Sequence, residues 1–342
     1  MELEDLMEEN IKIMEDSFYK KKFYFSYSSL NKLLWNPAVF QQMYIFNIRE
    51  EKQEAHLVQG KMIHCLLLEP ENFTNQFVIS PSNLPTGNIR TVIDRVFSHH
   101  KDLKNNGDER TELVEFSDAI IDIMSDMNYH QSLKTDQQRL DKIINPDSLN
   151  YWAFLKTKGD KILIDQESYD FCFNAVELIK LNKKVCQLLG LNVSEFDNIG
   201  VMNEYPVQID FPNRPFGLKG IIDNIVLDHD KKIIYINDIK TTSKDLKDFP
   251  ETIEFYNYWM QAVIYCSMVN VIYQDLMAAG YEMKFHFIVI DRNFQTYPFL
   301  VKESTLVGWL DKLTQCLDKA EWHYVNRNYE LPYEFATDSI TL

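Results

Sequence analysis

Three side chains in the segment GIIDNIVLDHDKKIIYINDIKTT have the types and spacing for phosphate chemistry: Asp223, Asp238 and Lys240. Asp238 and Lys240 are two apart in an isoleucine-rich run, and residues two apart on a strand point to one face. Asp223 lies on the preceding strand-like run. His229-Asp230 offers the turn that folds the two runs into a hairpin and brings Asp223 beside Asp238. Two carboxylates that close repel each other unless a divalent cation neutralises them, and hard oxygen ligands suit Mg²⁺ or Mn²⁺. Such an ion polarises a phosphodiester oxygen and lowers the pKa of a bound water. A lysine ammonium alongside steers that water or stabilises the developing phosphorane charge. An Asp and a Lys two apart are, by themselves, common as a solvated pair on an exposed strand. What singles out this segment is the upstream Asp preceded by Gly220, and the Thr241-Thr242 that follows Lys240.

The elements that must position these residues are legible in outline. NEYPVQIDF, FGLKGIIDNIVLD and KKIIYINDIKTT are short, rich in β-branched residues and bounded by turns, and read as a meander of strands. KFHFIVIDR reads as a further strand. Around them the period is helical. FSYSSLNKLLWNPAVF predicts a short helix capped by Ser28 or Ser29 and stopped at Asn36-Pro37. Residues 53–69 predict a stronger helix, with Ala55, Val58, Met62 and Leu66 in period and Pro70 ending it. Further helices are expected over 166–190, 253–279 (Trp259, Val263, Cys266 and Val269 among its apolar positions) and 303–326. Residues 1–22 form an acidic lead-in ending in Lys20-Lys21-Lys22. The fold class this implies is α/β, a mixed central sheet flanked by helices. Three regions are expected: an N-terminal helical part, 1–85; an inserted helical lobe, 86–165; and a core with the acidic motifs, 166–342.

Bulk composition bounds the function. With 45% hydrophobic residues the chain can bury a real core. The formal net charge of −16 argues against a protein that coats nucleic acid over its whole surface. It leaves room for a local basic channel, because net charge averages over faces. The five cysteines, Cys65, Cys172, Cys186, Cys266 and Cys316, form no CxxC pair and read as reduced thiols in a cytoplasmic protein. No stretch reaches the about 18 apolar residues of a membrane span. No G-x-x-x-x-G-K-[ST] motif is present, so no nucleotide cofactor is expected.

The residues also resemble a family. G-x-x-D followed one hairpin later by D-x-K-T-T is similar to the core of the PD-(D/E)XK nucleases, whose sheet is of the restriction-endonuclease type. More specifically it resembles the RecB-type branch and its phage RecE-like exonucleases (exonuclease VIII). GKMIHCLLLEPENFTNQFVI resembles that branch's helical histidine motif, and FSYSSLNKLLWNPAVF its N-terminal serine-leucine helix. Glu204 in NEYPVQIDF matches an acidic residue on the strand before the Asp motif. Gln261 and Tyr265 match a Q-x-x-x-Y helix after the D-x-K strand. Ile222 stands before Asp223 where the family usually has Pro, and residues 86–165 match nothing in it.

The resemblance implies roles. His64, Asp223, Asp238 and the Ile239 backbone carbonyl would ligate Mg²⁺, with Mn²⁺ able to substitute. Glu204 would complete the acidic cluster, and Lys240 would orient or deprotonate the attacking water. Gln261 and Tyr265 would pack beside the site and touch the DNA backbone or the lysine. Lys20 to Lys22, Lys32, Arg214 and Lys219 are candidates for phosphate contacts but read first as solvated surface. With only Cys316 beyond Cys266, no iron–sulfur cluster is expected. The implied activity is exonucleolytic hydrolysis of linear duplex DNA, 5′ to 3′, leaving a 3′ strand for a single-strand annealing partner in recombination. A homo-oligomeric ring, trimer or tetramer, is implied with it, in the host cytoplasm if the chain is phage-encoded. Two rivals stay open: a structure-specific or single-strand endonuclease on the same fold, and a non-catalytic DNA- or protein-binding module with a decayed site.

Overall fold

The structure, a computed structural model, describes residues 13–48, 55–81, 83–105, 107–194 and 197–340. The acidic opening residues 1–12 and the first residues of the helix expected from 53 lie outside the described residues. The chain forms two compact units. One is built from residues up to Pro70 and from Cys172 onward, the other from Glu71–Phe171. In chain order the strands are β1 (Tyr24–Phe25), β2 (Phe77–Ile79), β3 (Ile162–Ile164), β4 (Ile199–Asp210), β5 (Gly217–Asp228), β6 (Ile233–Thr241), β7 (Glu282–Ile290) and β8 (Thr296–Leu300).

The 71–171 unit is mainly helical. Val92 with Val96 and Ile120 with Met124 are each four apart on a helix, so each pair shares one face. These faces bury around Phe116 and Trp152, whose Nε1 donates to the Thr111 carbonyl. β2 and β3 pair in parallel within this unit.

The other unit holds the expected mixed sheet flanked by helices. Its strand order is β1-β5-β6-β7-β8, with β4 paired to β5. β4 and β6 run antiparallel to β5, β7 runs parallel to β6, and β8 antiparallel to β7. β8 was not anticipated: it is short and carries Pro298, which demotes a strand signal. β4 carries a proline as well, Pro206, which keeps its register opposite Ile221.

The helices that bear on the sheet are α1 (Tyr27–Trp35), α2 (Ala55–Leu68), α3 (Lys183–Leu189), α4 (Phe249–Phe255), α5 (Tyr258–Ile272) and α6 (Glu303–Asn326). The α1 cap is Ser26, not Ser28 or Ser29: Ser26 and Ser29 form a reciprocal capping box. The single helix expected over 253–279 is broken at Asn257, whose φ of 57° is left-handed and cannot continue a helix. The one expected over 166–190 is broken ahead of Asn182, which caps α3, and ends on the left-handed Gly190. α5 is apolar nearly all round and is buried with Ile225, Ile234, Ile236, Phe285 and Phe287 of the sheet in one core.

A polar row crosses this sheet. Asn203, Asn224, Asn237 and His286 occupy matched register positions on β4, β5, β6 and β7. Asn224 donates to Asn203 Oδ1 and Asn237 to Asn224 Oδ1, both at 2.7 Å. Their remaining donors close helix ends. Asn203 donates to the Leu68 carbonyl of α2, and Asn237 and Asn224 to Leu188 and Leu189 of α3. The last-turn carbonyls of a helix lack intrahelical partners, so the row docks both helices by their C-termini. Among the described residues, Asn237 Oδ1 and His286 Nδ1 are buried without a hydrogen-bond partner.

Burial, reinforced by Lys184 and Lys284, pushes the His286 pKa down to about 4 from 6.5. The unfolded chain therefore binds more protons than the folded one between these values. Stability present above pH 6.5 is lost as the pH falls toward 4. The stability difference between wild type and His286→Gln should shrink by up to about 3 kcal/mol from pH 7 to pH 4, read by urea unfolding. A pH-independent difference would refute the buried neutral imidazole.

Candidate active site

The site lies where β5 loses its neighbours on one edge. β4 pairs along the other edge of β5 from Gly217 to Asp228. On the facing edge β1 takes only Gly217 and Leu218, and β6 takes only Asn224 to Asp228. Residues 219–223 are left open there. Two side chains fill the opening. Asp223 Oδ2 accepts from the Ile239 amide at 2.7 Å, standing in for the rung that would have paired Asp223 with Asp238. The Tyr265 hydroxyl donates to the Ile221 carbonyl at 2.6 Å.

Opposite Asp223 on β4, one rung is missing. Asn203 pairs with Asn224 and Tyr205 with Ile222, but Glu204 is unpaired and has a φ of 43°. A left-handed glutamate in a strand is strained by about 1–3 kcal/mol and persists where the surroundings enforce it. The twist turns Glu204 toward α2. His64 of α2 meets it: Nδ1 lies 3.7 Å from Glu204 Oε1 and 3.8 Å from Asp223 Oδ2. His64 Nε2 lies 3.0 Å from the Ile239 carbonyl. That carbonyl can only accept, so Nε2 carries the proton and the neutral ring keeps its Nδ1 lone pair toward the two acids. Gly60, one turn before His64, brings α2 onto β6: a Cβ there would lie 3.2 Å from Thr241 Oγ1.

The ligand atoms of His64, Glu204 and Asp223 lie within 4.8 Å of one another. Bonds of about 2.1 Å to one octahedral ion set ligand atoms about 3–4 Å apart, so the three atoms bracket a divalent cation without large movement. Burial works against a charged His64, but Asp223 and then Glu204 outweigh it and raise its pKa. The same field that draws a proton to Nδ1 draws a metal.

Asp238 and Lys240 sit beside this triad on the other face of β6, against α5. Asp238 is fully buried, and its Oδ2 lies 2.6 Å from Lys240 Nζ. Its Oδ1 has no hydrogen-bond donor among the described residues. A buried carboxylate oxygen without a donor is costly to keep, and it is the chemistry of a metal ligand. Burial raises the Asp238 pKa and Asp223 adds to this, against the lowering effect of Lys240. For Lys240, burial favours the neutral amine, but Asp238 and Asp223 outweigh it and raise the pKa. Lys240 also donates to Gln261 Oε1 at 3.0 Å, Gln261 Nε2 donates to the Tyr265 hydroxyl at 2.9 Å, and Tyr265 closes the chain on Ile221. Tyr258 presents its ring 4.8 Å from Lys240 Nζ.

All eight residues singled out in the sequence thus meet around one opening in the sheet, with two differences in detail. The Ile239 carbonyl is engaged by His64, so it anchors the imidazole here. The Asp238 carboxylate faces Lys240 and is not one of the three closest ligands, a place Glu204 takes. Other basic candidates are engaged: Arg214 by Asp318 and Glu321, Lys22 by Asp210, and Lys32 over the Trp35 ring. Lys20, Lys21, Lys22 and Arg214 line a cavity of about 560 Å³ that includes none of the site residues. Sequence reasoning missed Tyr258 and the asparagines. Asparagine is disfavoured in strands, and each one adjoins an acid, as Asn203-Glu204, Asp223-Asn224 and Asn237-Asp238.

No family model matches this sequence, and no curated protein matches it. Among solved structures the chain is similar to a candidate exonuclease from Eubacterium rectale. The identity is 10% and the TM-score 0.43, over 88% of this chain and 82% of that one. It is also similar to SSO0001, at 18% identity and a TM-score of 0.22, over 44% of this chain and 66% of that one. Neither likeness bears on the chemistry of the site, which its own geometry carries. Among the described residues no helix is long and apolar enough to cross a membrane.

Two outcomes are expected. A Cβ at Gly220 would meet Tyr265 Cε1 at 2.9 Å. Gly220→Ala should therefore destabilise the chain by about 1–3 kcal/mol in urea unfolding, since the ring is fixed at its hydroxyl. An unchanged midpoint would mean Tyr265 is loosely held. Mn²⁺ should bind with one high-affinity site by titration calorimetry and raise the melting temperature. His64→Ala and Asp223→Asn should each weaken that binding at least about tenfold; equal affinity in all three proteins would dismiss the triad.

Proposed function

We propose that this chain is a metal-dependent deoxyribonuclease of the PD-(D/E)XK type, hydrolysing phosphodiester bonds of DNA. The observation that carries the reading is the His64–Glu204–Asp223 triad, with the donor-free Asp238 oxygen and the Lys240 ammonium at its side. A divalent ion held there, Mg²⁺ with Mn²⁺ as substitute, would supply Lewis acidity toward a phosphate oxygen and acidify a bound water. His64 Nδ1, Glu204 and Asp223 would hold it, and Asp238 would add a further oxygen, as the resemblance implies.

The chain's own residues do the rest. The Ile239 carbonyl holds the His64 ring in the tautomer that leaves Nδ1 open. Asp223 is fixed by the Ile239 amide, so its carboxylate is preorganised. Lys240 is kept charged by its acidic neighbours and is therefore cast as an electrostatic partner of the phosphorane and not as the general base. Gln261 and Tyr265 aim the ammonium through a continuous hydrogen-bonded chain. Water attack at phosphorus with loss of the bridging oxygen completes the hydrolysis, and the opening in β5 leaves the reacting phosphate an approach.

The finer reading is exonucleolytic. The protein degrades one strand of linear duplex DNA from the 5′ end and leaves a 3′ strand for an annealing partner. This rests on the ordered resemblance to the RecE-like branch. A ring of copies with a basic lumen reconciles DNA entry with the net charge of −16.

The test is digestion of 5′- or 3′-labelled linear duplex and of closed circular plasmid, with and without Mg²⁺. Linear DNA should be consumed only with the metal, mononucleotides should leave from the 5′ label first, and the plasmid should survive. Asp223→Asn, Asp238→Asn and Lys240→Ala should each lower turnover at least about 100-fold, or about 2.7 kcal/mol of transition-state stabilisation. A cut plasmid would move the reading to an endonuclease. No metal-dependent release from any DNA would end it.

A further inference from the structure

A line of aromatic rings runs from the Lys240 ammonium to the surface. Tyr258 lies 4.8 Å below Lys240 Nζ. Its ring stacks on Tyr256 with centroids 5.4 Å apart and planes at 28°. Tyr256 meets Phe255 edge to face at 4.8 Å. Exposure rises along the line: Tyr258 is half-buried, Tyr256 is 47% exposed and Phe255 75%. Exposing a large aromatic ring forgoes its burial, about 1.5–3 kcal/mol, so two adjacent open rings call for an occupant.

The backbone that presents them is held in place. Asn257 takes a left-handed φ of 57° between α4 and α5, which turns Tyr256 and Tyr258 into one stack. Its side chain is fixed at both ends, donating to Asn31 Oδ1 at 2.8 Å and accepting from Trp259 Nε1 at 3.0 Å. The Tyr27 hydroxyl donates to the Tyr256 carbonyl from α1. The kink is a fixed part of the fold, and the rings do not fold back to cover themselves.

The chemistry around the rings selects the occupant. Lys244 Nζ sits 5.9 Å from the Phe255 centroid, and Glu254 is occupied by Lys312 at 3.1 Å. Two open rings bordered by charged side chains present flat apolar faces with polar edges. They suit flat, polar-edged groups carrying phosphate, whose bases stack and whose phosphates meet ammonium groups.

We propose that Phe255 and Tyr256, with Lys244, form a stacking platform for unpaired nucleobases of the DNA strand whose phosphate reaches Lys240. The proposal deepens the nuclease reading and rests on it. Strand ends that fray are captured at the platform, and the line of rings guides the strand inward to the triad.

The test uses full-length Asp238→Asn protein in Mg²⁺ buffer, so that DNA is bound without rapid turnover. The probes are single-stranded and duplex oligodeoxynucleotides with 2-aminopurine near the 5′ end. The single-stranded probe should lose fluorescence on binding. Adding Phe255→Ala and Tyr256→Ala should remove that quenching and weaken single-strand binding at least about tenfold, at an unchanged urea midpoint. Duplex binding should change far less, and Phe255→Trp should restore the quenching. Single-strand affinity and quenching indifferent to both rings would overturn the platform, as would a wild-type chain that binds no single strand. Failure of the two readings is distinguishable. Metal-dependent hydrolysis with ring-independent binding removes the platform alone. Ring-dependent quenching in a wild-type chain that hydrolyses nothing removes the nuclease reading and leaves a single-strand binding site.

Discussion

The constraint on which the rest depends is the hydrogen bond from the Ile239 amide to the Asp223 carboxylate. It sits where a strand pair would otherwise continue. β5 and β6 pair down to Asn224 and Asn237 and then part. A backbone amide left open inside a protein must find an acceptor. Here a side chain supplies it, and the carboxylate is locked in the fork between two strands. The carbonyl of the same residue, in the next peptide group, receives His64 Nε2. The backbone of Ile239 thus fixes an acid on β5 and an imidazole on α2.

Around that fork the sheet and its helices are locked by polar contacts. The asparagine row lies one residue from each acid, and neighbouring residues on a strand point to opposite faces. The row therefore ties down the ends of α2 and α3 on one face, while Asp238 and Lys240 project toward α5 on the other. A shift of one residue in β5 would break the amide ladder and misplace the acids together. The buried amides specify register as well as stability, which an apolar core cannot do with the same strictness.

Much of this was legible in the sequence because period-2 and period-3.6 patterns report which residues share a face. Asp238 with Lys240 and the Asp223 hairpin follow from spacing, and Gln261 with Tyr265 from the resemblance, their spacing showing only a shared helix face. The His64 helix and Glu204 were reached only through ordered motifs, because their proximity to Asp223 depends on long-range packing. What stayed hidden has a physical reason in each case. Glu204 displaces Asp238 among the nearest ligands through a backbone conformation that no side-chain pattern signals. The break at Asn257 went unseen because apolar residues continue across it on both sides. The Ser26 cap was misplaced because three serines share the segment and only geometry chooses among them.

Two strands at the edges of the sheet share a trait. β4 and β8 each carry a proline in mid-strand, Pro206 and Pro298. A proline lacks the amide proton that a docking strand would seek, and both fall where a sheet is open to recruitment. Each proline disfavours growth of the sheet by an added strand along its edge. The sheet that carries the chemistry is thus guarded against an added strand at those positions.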